Sequence, residues 1–535
     1  MLTVGNAPSD RSAEPRAPWS PVWPWVLAFA VLAALYLQHA PNVLNTPVYT
    51  GNDGWIFNSE FVQVSRGVPL YSGVWEHKDP VYFYVYSIFE RLFGLTGPMI
   101  CETLISLGMI AVLLAIARRL GMPALVATAC TGICLLYLFS PNVYWPMNTY
   151  HLALLLCFTS VLLALYGRLA VAGGVFAAAV FANMPMAAFG PAALAIPVVS
   201  AAPDWSSVWH RCRAWIIGAV AFTLILVLTL LVRGELFGYI GVIQSNLTYS
   251  SILQAAVGIV NHPFYNFENT VGRLCAFAMV CLAAILSFVV VLRVIRQLKA
   301  ARDPADNSAQ RQLTGVMVAA VLAGAAGAVI LHIASYFADY FECLTPLFFL
   351  LPVSFASLLG TIDLGIGRRF QSVTLRGQRL AVAGVLALAV VMIFSGFVTP
   401  TALAGPPQQM SLAFMAVNSV DPAVSTCIDK YPFAHQSTTF ASIGTNVFAV
   451  ECLVPPNMHL ACALMYQFPW QGDFVLDEFK SCLAVRPQIV FVEPLLYFTG
   501  SNAGYKTELL ATLHAHFEMI GSCYLEEIWQ RKPGA

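Results

Sequence analysis

Apolar runs of about the length a helix needs to cross a bilayer, ~20 residues, recur along this chain. They lie at 22–40, 97–117, 123–140, 149–167, 170–188, 187–201, 215–232, 271–292, 313–333, 343–359 and 380–399. No soluble core could hide them all: 59% of the residues are hydrophobic, 10% are charged, and mean hydropathy is +0.72. The lipid bilayer is therefore the solvent for most of the chain, and a polytopic α-helical membrane protein of about eleven spans is expected. The formal net charge of zero offers nothing to a nucleic acid. The first run, Val22 to Leu37, lacks a small-residue cleavage site, which favours a retained span over a removed signal peptide.

Orientation follows from the basic residues. With residues 1–21 as a cytoplasmic tail, sixteen Lys and Arg fall inside, including Arg118, Arg119, Arg168, Arg211 and Arg213. Five fall outside: Arg66, Lys78, Arg91, Arg233 and Arg273. The region 170–201 decides the parity, because Asn183, Pro185 and Pro191 interrupt it. The Arg clusters after 292 and 360 argue for two spans there. The membrane part is then 22–400, with outer loops at 41–96 and 233–270, in a plasma (inner) membrane.

After Pro400 the composition becomes that of a soluble domain, 401–535. Strand-like runs lie at Ser437–Ile443, Gln488–Glu493 and Cys523–Trp529, and helix-like runs near Asp473–Val485 and Tyr505–Phe517. An odd number of spans puts this small α/β domain outside the cytoplasm. Its five cysteines, Cys427, Cys452, Cys462, Cys482 and Cys523, could form one or two disulfides there or serve as small buried residues.

Ionisable residues concentrate in the first outer loop, which holds Asp53, Glu60, Arg66, Glu76, His77, Lys78 and Asp79 among Trp55, Trp75, Tyr82, Tyr84 and Tyr86. Asp53 opens a helical pattern, where its local role would be an N-cap. Asp79 can cap a second helix with Pro80 at its first position, and Val81, Val85, Ile88, Phe89 and Leu92 form an apolar stripe along it. A surface-parallel amphipathic helix is expected. Its N-terminus, with His77 and Lys78, would make a positive concavity at headgroup depth; snorkelling of Lys78 is the simpler alternative. Glu102, His151, His332, Asp339 and Glu342 fall at outer helix mouths, where solvated interface residues are expected. The sequon Asn246-Leu247-Thr248 is too common a pattern to carry a role.

An Asp near the start of this loop, then Gly67-x-Pro69-x-Tyr71, then Trp75-Glu76-His77-Lys78-Asp79-Pro80 before an aromatic helix ending in Phe93-Gly94, resembles the GT-C superfamily of membrane glycosyltransferases. The branch it looks most like includes protein O-mannosyltransferases and the lipid A aminoarabinose transferase. Ser335 to Phe341, with Asp339 and Tyr340, followed by Pro346, resembles the entry to a late spanning helix in the same enzymes. The resemblance implies a donor of one sugar on a polyprenyl phosphate and transfer to an acceptor hydroxyl of a cell-envelope glycan, glycolipid or protein. Asp53 would be the general base. Lys78, His77 and Arg273 would receive the donor phosphate, with Glu76, Asp79, His262, Asp339 and Tyr340 around the substrate. A second carboxylate often follows the first Asp in that family, and here Gly54 stands in its place. Lys78-Asp79-Pro80 replaces a Lys-Pro-Pro. A two-carboxylate metal site is therefore not expected, nor is a required cofactor, a bound divalent metal being the alternative. Two other functions share this layout: a polyprenyl-linked lipid or sugar flippase, and a non-catalytic envelope assembly protein. Charges gathered in one asymmetric loop, without repeated halves, weigh against transport.

Overall fold

The structure, a computed structural model, describes residues 22–47, 52–71, 78–138, 146–199, 205–244, five helical positions between 315 and 323, and from 426 onward the segments 426–443, 454–455, 457–464, 479–484, 487–492, 503–523 and 526–534. The expected spans at 271–292, 343–359 and 380–399 lie outside the described residues, as does nearly all of 313–333.

Helix α1 (Trp23–His39) leads into the first loop, which carries α2 (Asn52–Ser65) and α3 (Pro80–Phe93). Then come α4 (Gly97–Arg119), α5 (Ala124–Leu138), α6 (Thr149–Leu165), α7 (Leu169–Val180), a 3-10 turn at Met184–Phe189, α8 (Gly190–Val199), α9 (Trp205–Val232) and a short helix α10 at 236–244. Among the described residues two helical stretches, Pro80–Arg119 and Ser206–Val232, are long and apolar enough to cross a membrane; α1, α5, α6, α7 and the Met184–Val199 stretch are shorter apolar helices. The interrupted region forms two short helical pieces, α7 and α8, of 12 and 10 residues. Asn183 and Pro185 fall at the 3-10 turn that separates them.

Arginines collect at one end of this bundle. Arg118 and Arg119 close α4, where cations complement the helix dipole. Arg119 donates to the Leu165 carbonyl (3.1 Å) and lies over the Tyr166 ring, and Arg118 lies over Trp25. Small residues let α7 and α9 cross with their backbones in contact, since a Cβ at Gly173 would meet the Trp215 carbonyl and one at Gly218 the Ala170 carbonyl. On α9, Ile217, Leu224, Ile225 and Leu228 are more than half exposed.

Helix α3 lies across the opposite end. Gly94, at φ +63°, breaks it from α4, and the chain turns so sharply that Gly97 abuts the Phe89 carbonyl. Of the apolar stripe expected along α3, Ile88 and Leu92 are more than half exposed, while Val81, Val85 and Phe89 are partly buried against the core. The buried side is Tyr82, Phe83 and Tyr86, at 0% exposure. These rings pack with Phe57 and Phe61 of α2. Aromatics bury more area than Val or Ile, and each tyrosine finds an acceptor: Tyr82 donates to the Met147 carbonyl, Tyr86 to Glu102.

Past residue 426 a five-stranded sheet runs in the order β2-β1-β3-β5-β4, with β1 (Thr438–Ile443) parallel to β2 (Met458–Leu464) and to β3 (Ile489–Val492). Strands β5 (Glu526–Arg531) and β4 (Phe517–Cys523) are antiparallel additions. Phe440, Ile489 and Phe491 face one apolar cluster; Ala441, Ile443 and Val490 face another with helix α11 (Ala503–His516). Burial on both faces explains near-continuous apolar strands. Strand β2 was not expected from sequence, and the strand expected at Cys523–Trp529 overlaps the first four residues of β5 and the last of β4. Two disulfides, Cys427–Cys523 and Cys462–Cys482, tie the sheet; Cys452 is outside the described residues. Val68, from the first loop, packs against the first cluster.

Candidate functional site

The corner Lys78-Asp79-Pro80 is docked rather than exposed. Asp79 is the N-cap residue of α3 by position, yet its carboxylate makes no cap to that helix. Oδ2 instead accepts the Met184 N–H (2.6 Å), at the start of the 3-10 turn after α7, and Oδ1 accepts the Tyr239 hydroxyl (2.6 Å). The expected local cap thus serves another helical start 105 residues away. The Val81 N–H, one of the donors thought free for an anion, is bound by the Phe181 carbonyl (3.0 Å). Pro80 has no N–H to offer. The N-terminus of α3 is therefore spent on α7, and the phosphate cradle proposed for it loses its first donors.

What remains is the lysine. Its carbonyl accepts the Tyr71 hydroxyl (2.7 Å), and its ammonium sits 4.1 Å from the centroid of the Phe57 ring. Among the described residues no carboxylate pairs with it. Phe57 lies on α2 four residues after Asp53, so the two positions share one face of that helix. Asp53 itself falls inside the first turn of α2 rather than before it, and only its backbone position is described. Glu76, His77, His262, Arg273, Asp339 and Tyr340 lie outside the described residues, as do His332 and Glu342.

Around Lys78 stands a layer that sequence reading did not single out. Glu235, fully buried, follows Gly234 (φ +74°) at the end of α9. It accepts the Leu70 N–H (3.0 Å), the Arg233 guanidinium (2.8 Å) and the Tyr84 hydroxyl. Tyr239 stacks at 5.2 Å on Tyr71, which is itself held at φ +69°. Burial, with the Asp79 carboxylate beside it, pushes the Tyr239 hydroxyl well above the usual phenol range, so it stays a donor. The available signal was an Arg-Gly-Glu triplet directly after an apolar run, a charge pair where a helix ends.

Solved structures with a similar chain path include the oligosaccharyltransferase AglB from Archaeoglobus fulgidus. In complex with an inhibitory peptide and a dolichol-phosphate it is 12% identical, at TM-score 0.45, over 88% of this chain and 69% of that one; its apo form gives 12%, 0.47, 88% and 70%. ArnT from Cupriavidus metallidurans in the apo state is 13% identical at TM-score 0.44, over 95% of this chain and 98% of that one. Both are GT-C superfamily glycosyltransferases. No family model and no curated protein matches the chain.

Glu102 and His151 correct a second expectation. They are not solvated at a helix mouth but 0% and 2% exposed, with His151 Nδ1 2.6 Å from Glu102 Oε1 and the Tyr86 hydroxyl on Oε2. Placing a carboxylate there without partners would be costly in a bundle interior. Here it joins α3, α4 and α6. Among the described residues no cluster of three or more His, Cys, Asp or Glu is arranged for a metal. An apolar cavity lined by Ile116, Leu154, Phe158, Phe176, Met186 and Ile196 holds none of the charged residues above.

Proposed function

We propose that this protein is a membrane glycosyltransferase that moves a sugar from a polyprenyl-phosphate donor to an acceptor hydroxyl on the outer face of the membrane. The observation that carries this reading is the Lys78 ammonium: its backbone is pinned, and its charge lies over Phe57 on the α2 face that Asp53 shares, without a described carboxylate to neutralise it. A cation held in this way is a receptor for an anion that develops charge during reaction. The acceptor oxygen attacks the anomeric carbon, the bond from that carbon to the phosphate oxygen breaks, and its electron pair leaves with the polyprenyl phosphate. The acceptor proton passes to Asp53. An ordinary carboxylate, with pKa near ~4, is a weak base for an alcohol, so proton transfer runs late, together with phosphate departure. Lys78 then faces the second negative charge on the leaving phosphate. The disulfides suit an oxidising compartment, which supports an extracytoplasmic sheet domain.

The test is transfer by purified full-length protein from radiolabelled polyprenyl-phosphate sugar, in chelator because the reaction proposed needs no resident metal. Free polyprenyl phosphate should be released, and Asp53→Asn should abolish release while leaving membrane insertion normal. Lipid translocation without cleavage would establish a flippase instead, and full activity in Asp53→Asn would remove the base.

A further inference from the structure

We propose that Glu235 and Tyr239, on the turn that follows α9, are positioning residues that hold the Lys78 corner in its anion-receiving geometry. The inference rests on the reading of Lys78 as the phosphate receptor and extends it to a segment more than 150 residues away. Two carboxylates reach in opposite directions between the same two segments. Asp79, in the first loop, accepts the Tyr239 hydroxyl from α10. Glu235, before α10, accepts the Leu70 N–H from the first loop and the Tyr84 hydroxyl from α3. The contacts are therefore reciprocal, and both lie in buried surroundings: Glu235 is 0% and Tyr239 3% exposed. Hydrogen bonds to an ionised group in such surroundings are stronger than neutral ones.

Lys78 is tied to both contacts, directly preceding Asp79 in the chain and accepting the hydroxyl of Tyr71, the residue after Leu70. Its own carbonyl is held by Tyr71, whose ring packs against Tyr239 and whose Cβ and carbonyl lie close to Gly238; a Cβ there would come within 2.7 Å of the Tyr71 Cβ. Tyr71 occupies a left-handed backbone conformation, φ +69°, which a tyrosine adopts only when its neighbours enforce it. The enforcing neighbours are the Glu235 carboxylate on the preceding N–H, at Leu70, and the α10 surface of Gly238 and Tyr239. Lysine has four rotatable side-chain bonds, so a receptor built on it gains from every restraint on its backbone. Losing Glu235 or Tyr239 lets Tyr71 relax, and the Lys78 carbonyl with it, without touching Lys78.

The experiment measures binding of farnesyl phosphate and of farnesol to full-length protein in detergent, for wild type, Tyr239→Phe and Glu235→Gln. Wild type should prefer the phosphate. Tyr239→Phe should lose about ten-fold in farnesyl phosphate affinity, the scale of one hydrogen bond to a charged group, while farnesol binding stays within about two-fold. The ratio of the two affinities is a readout that general loosening would not move. An unchanged ratio in both variants, whether the two affinities stay or fall together, overturns the inference while leaving Lys78 as receptor. A wild type indifferent to the phosphate overturns the Lys78 reading, and the positioning role with it. Should Glu235→Gln fail to fold, Tyr71→Phe, which removes the hydroxyl on the Lys78 carbonyl, provides the second variant and the same expected loss of selectivity.

Discussion

Removing either member of the Glu102–His151 pair should destabilise the helical bundle far more than removing an exposed charge would. Glu102→Ala leaves His151 Nδ1 and the Tyr86 hydroxyl without their acceptor, inside a packed region where all three residues are at most 2% exposed. Breaking one side of a buried pair costs about 3–5 kcal/mol, because the partner stays buried and uncompensated. His151→Ala should cost a similar amount for the converse reason. The double variant should cost little more than either single one, since the stranded partner is then gone, giving a coupling of about 3 kcal/mol. At roughly 2–4 °C per kcal/mol for a domain of this size, each single variant should lower the melting midpoint by on the order of 10 °C. A thiol-reactive dye reports that midpoint directly, because the buried thiols of Cys101 and Cys130 react only when the bundle opens. Additive losses below about 1 kcal/mol each would refute the reasoning and return both residues to a solvated helix mouth.

Two further outcomes follow from the packing. Gly238→Ala should lower thermal stability by about 1–3 kcal/mol, because the added Cβ meets Tyr71 Cβ at 2.7 Å and its backbone oxygen at 2.9 Å; an unchanged melting midpoint would show that the α10 contact is loose. Cys427→Ser should destabilise the sheet domain more than Cys462→Ser, by about 4–5 against about 3 kcal/mol, because one bridge closes a sequence separation of 96 and the other of 20. Limited proteolysis across a temperature series checks the order, and equal protection of the two variants would contradict it.

The helices were legible because each one records itself locally. An apolar run of fixed length bounded by Arg118 and Arg119, or by Asn148, whose side chain accepts the Tyr150 N–H, needs no knowledge of its neighbours to be read as a helix with a start or an end. The same holds for β1, β3 and α11, and for the sharp stop at Phe93-Gly94. Strand β2 was missed because Met458–Leu464 mixes His459 and Ala463 into an apolar segment with no clean alternation; its place is set by pairing with β1, which supplies the register.

By itself, then, the sequence determined that long apolar helices dominate the chain, how its basic residues are distributed, and that ionisable side chains concentrate between Asp53 and Asp79. Tertiary structure decided what those residues do. Asp79 could cap its own helix on local grounds, and only the approach of Met184 and Tyr239, 105 and 160 residues further on, takes its carboxylate elsewhere. The buried side of α3 went to Tyr82, Phe83 and Tyr86 because α2 offers aromatic partners and Met147 and Glu102 offer acceptors, none of which the period of α3 encodes. Glu102 and His151 read as separate polar residues until α4 and α6 bring them to 2.6 Å. Periodicity states which side chains share a face; the identity of the group opposite comes only from packing, because a buried charge must be satisfied by whatever the fold brings within reach.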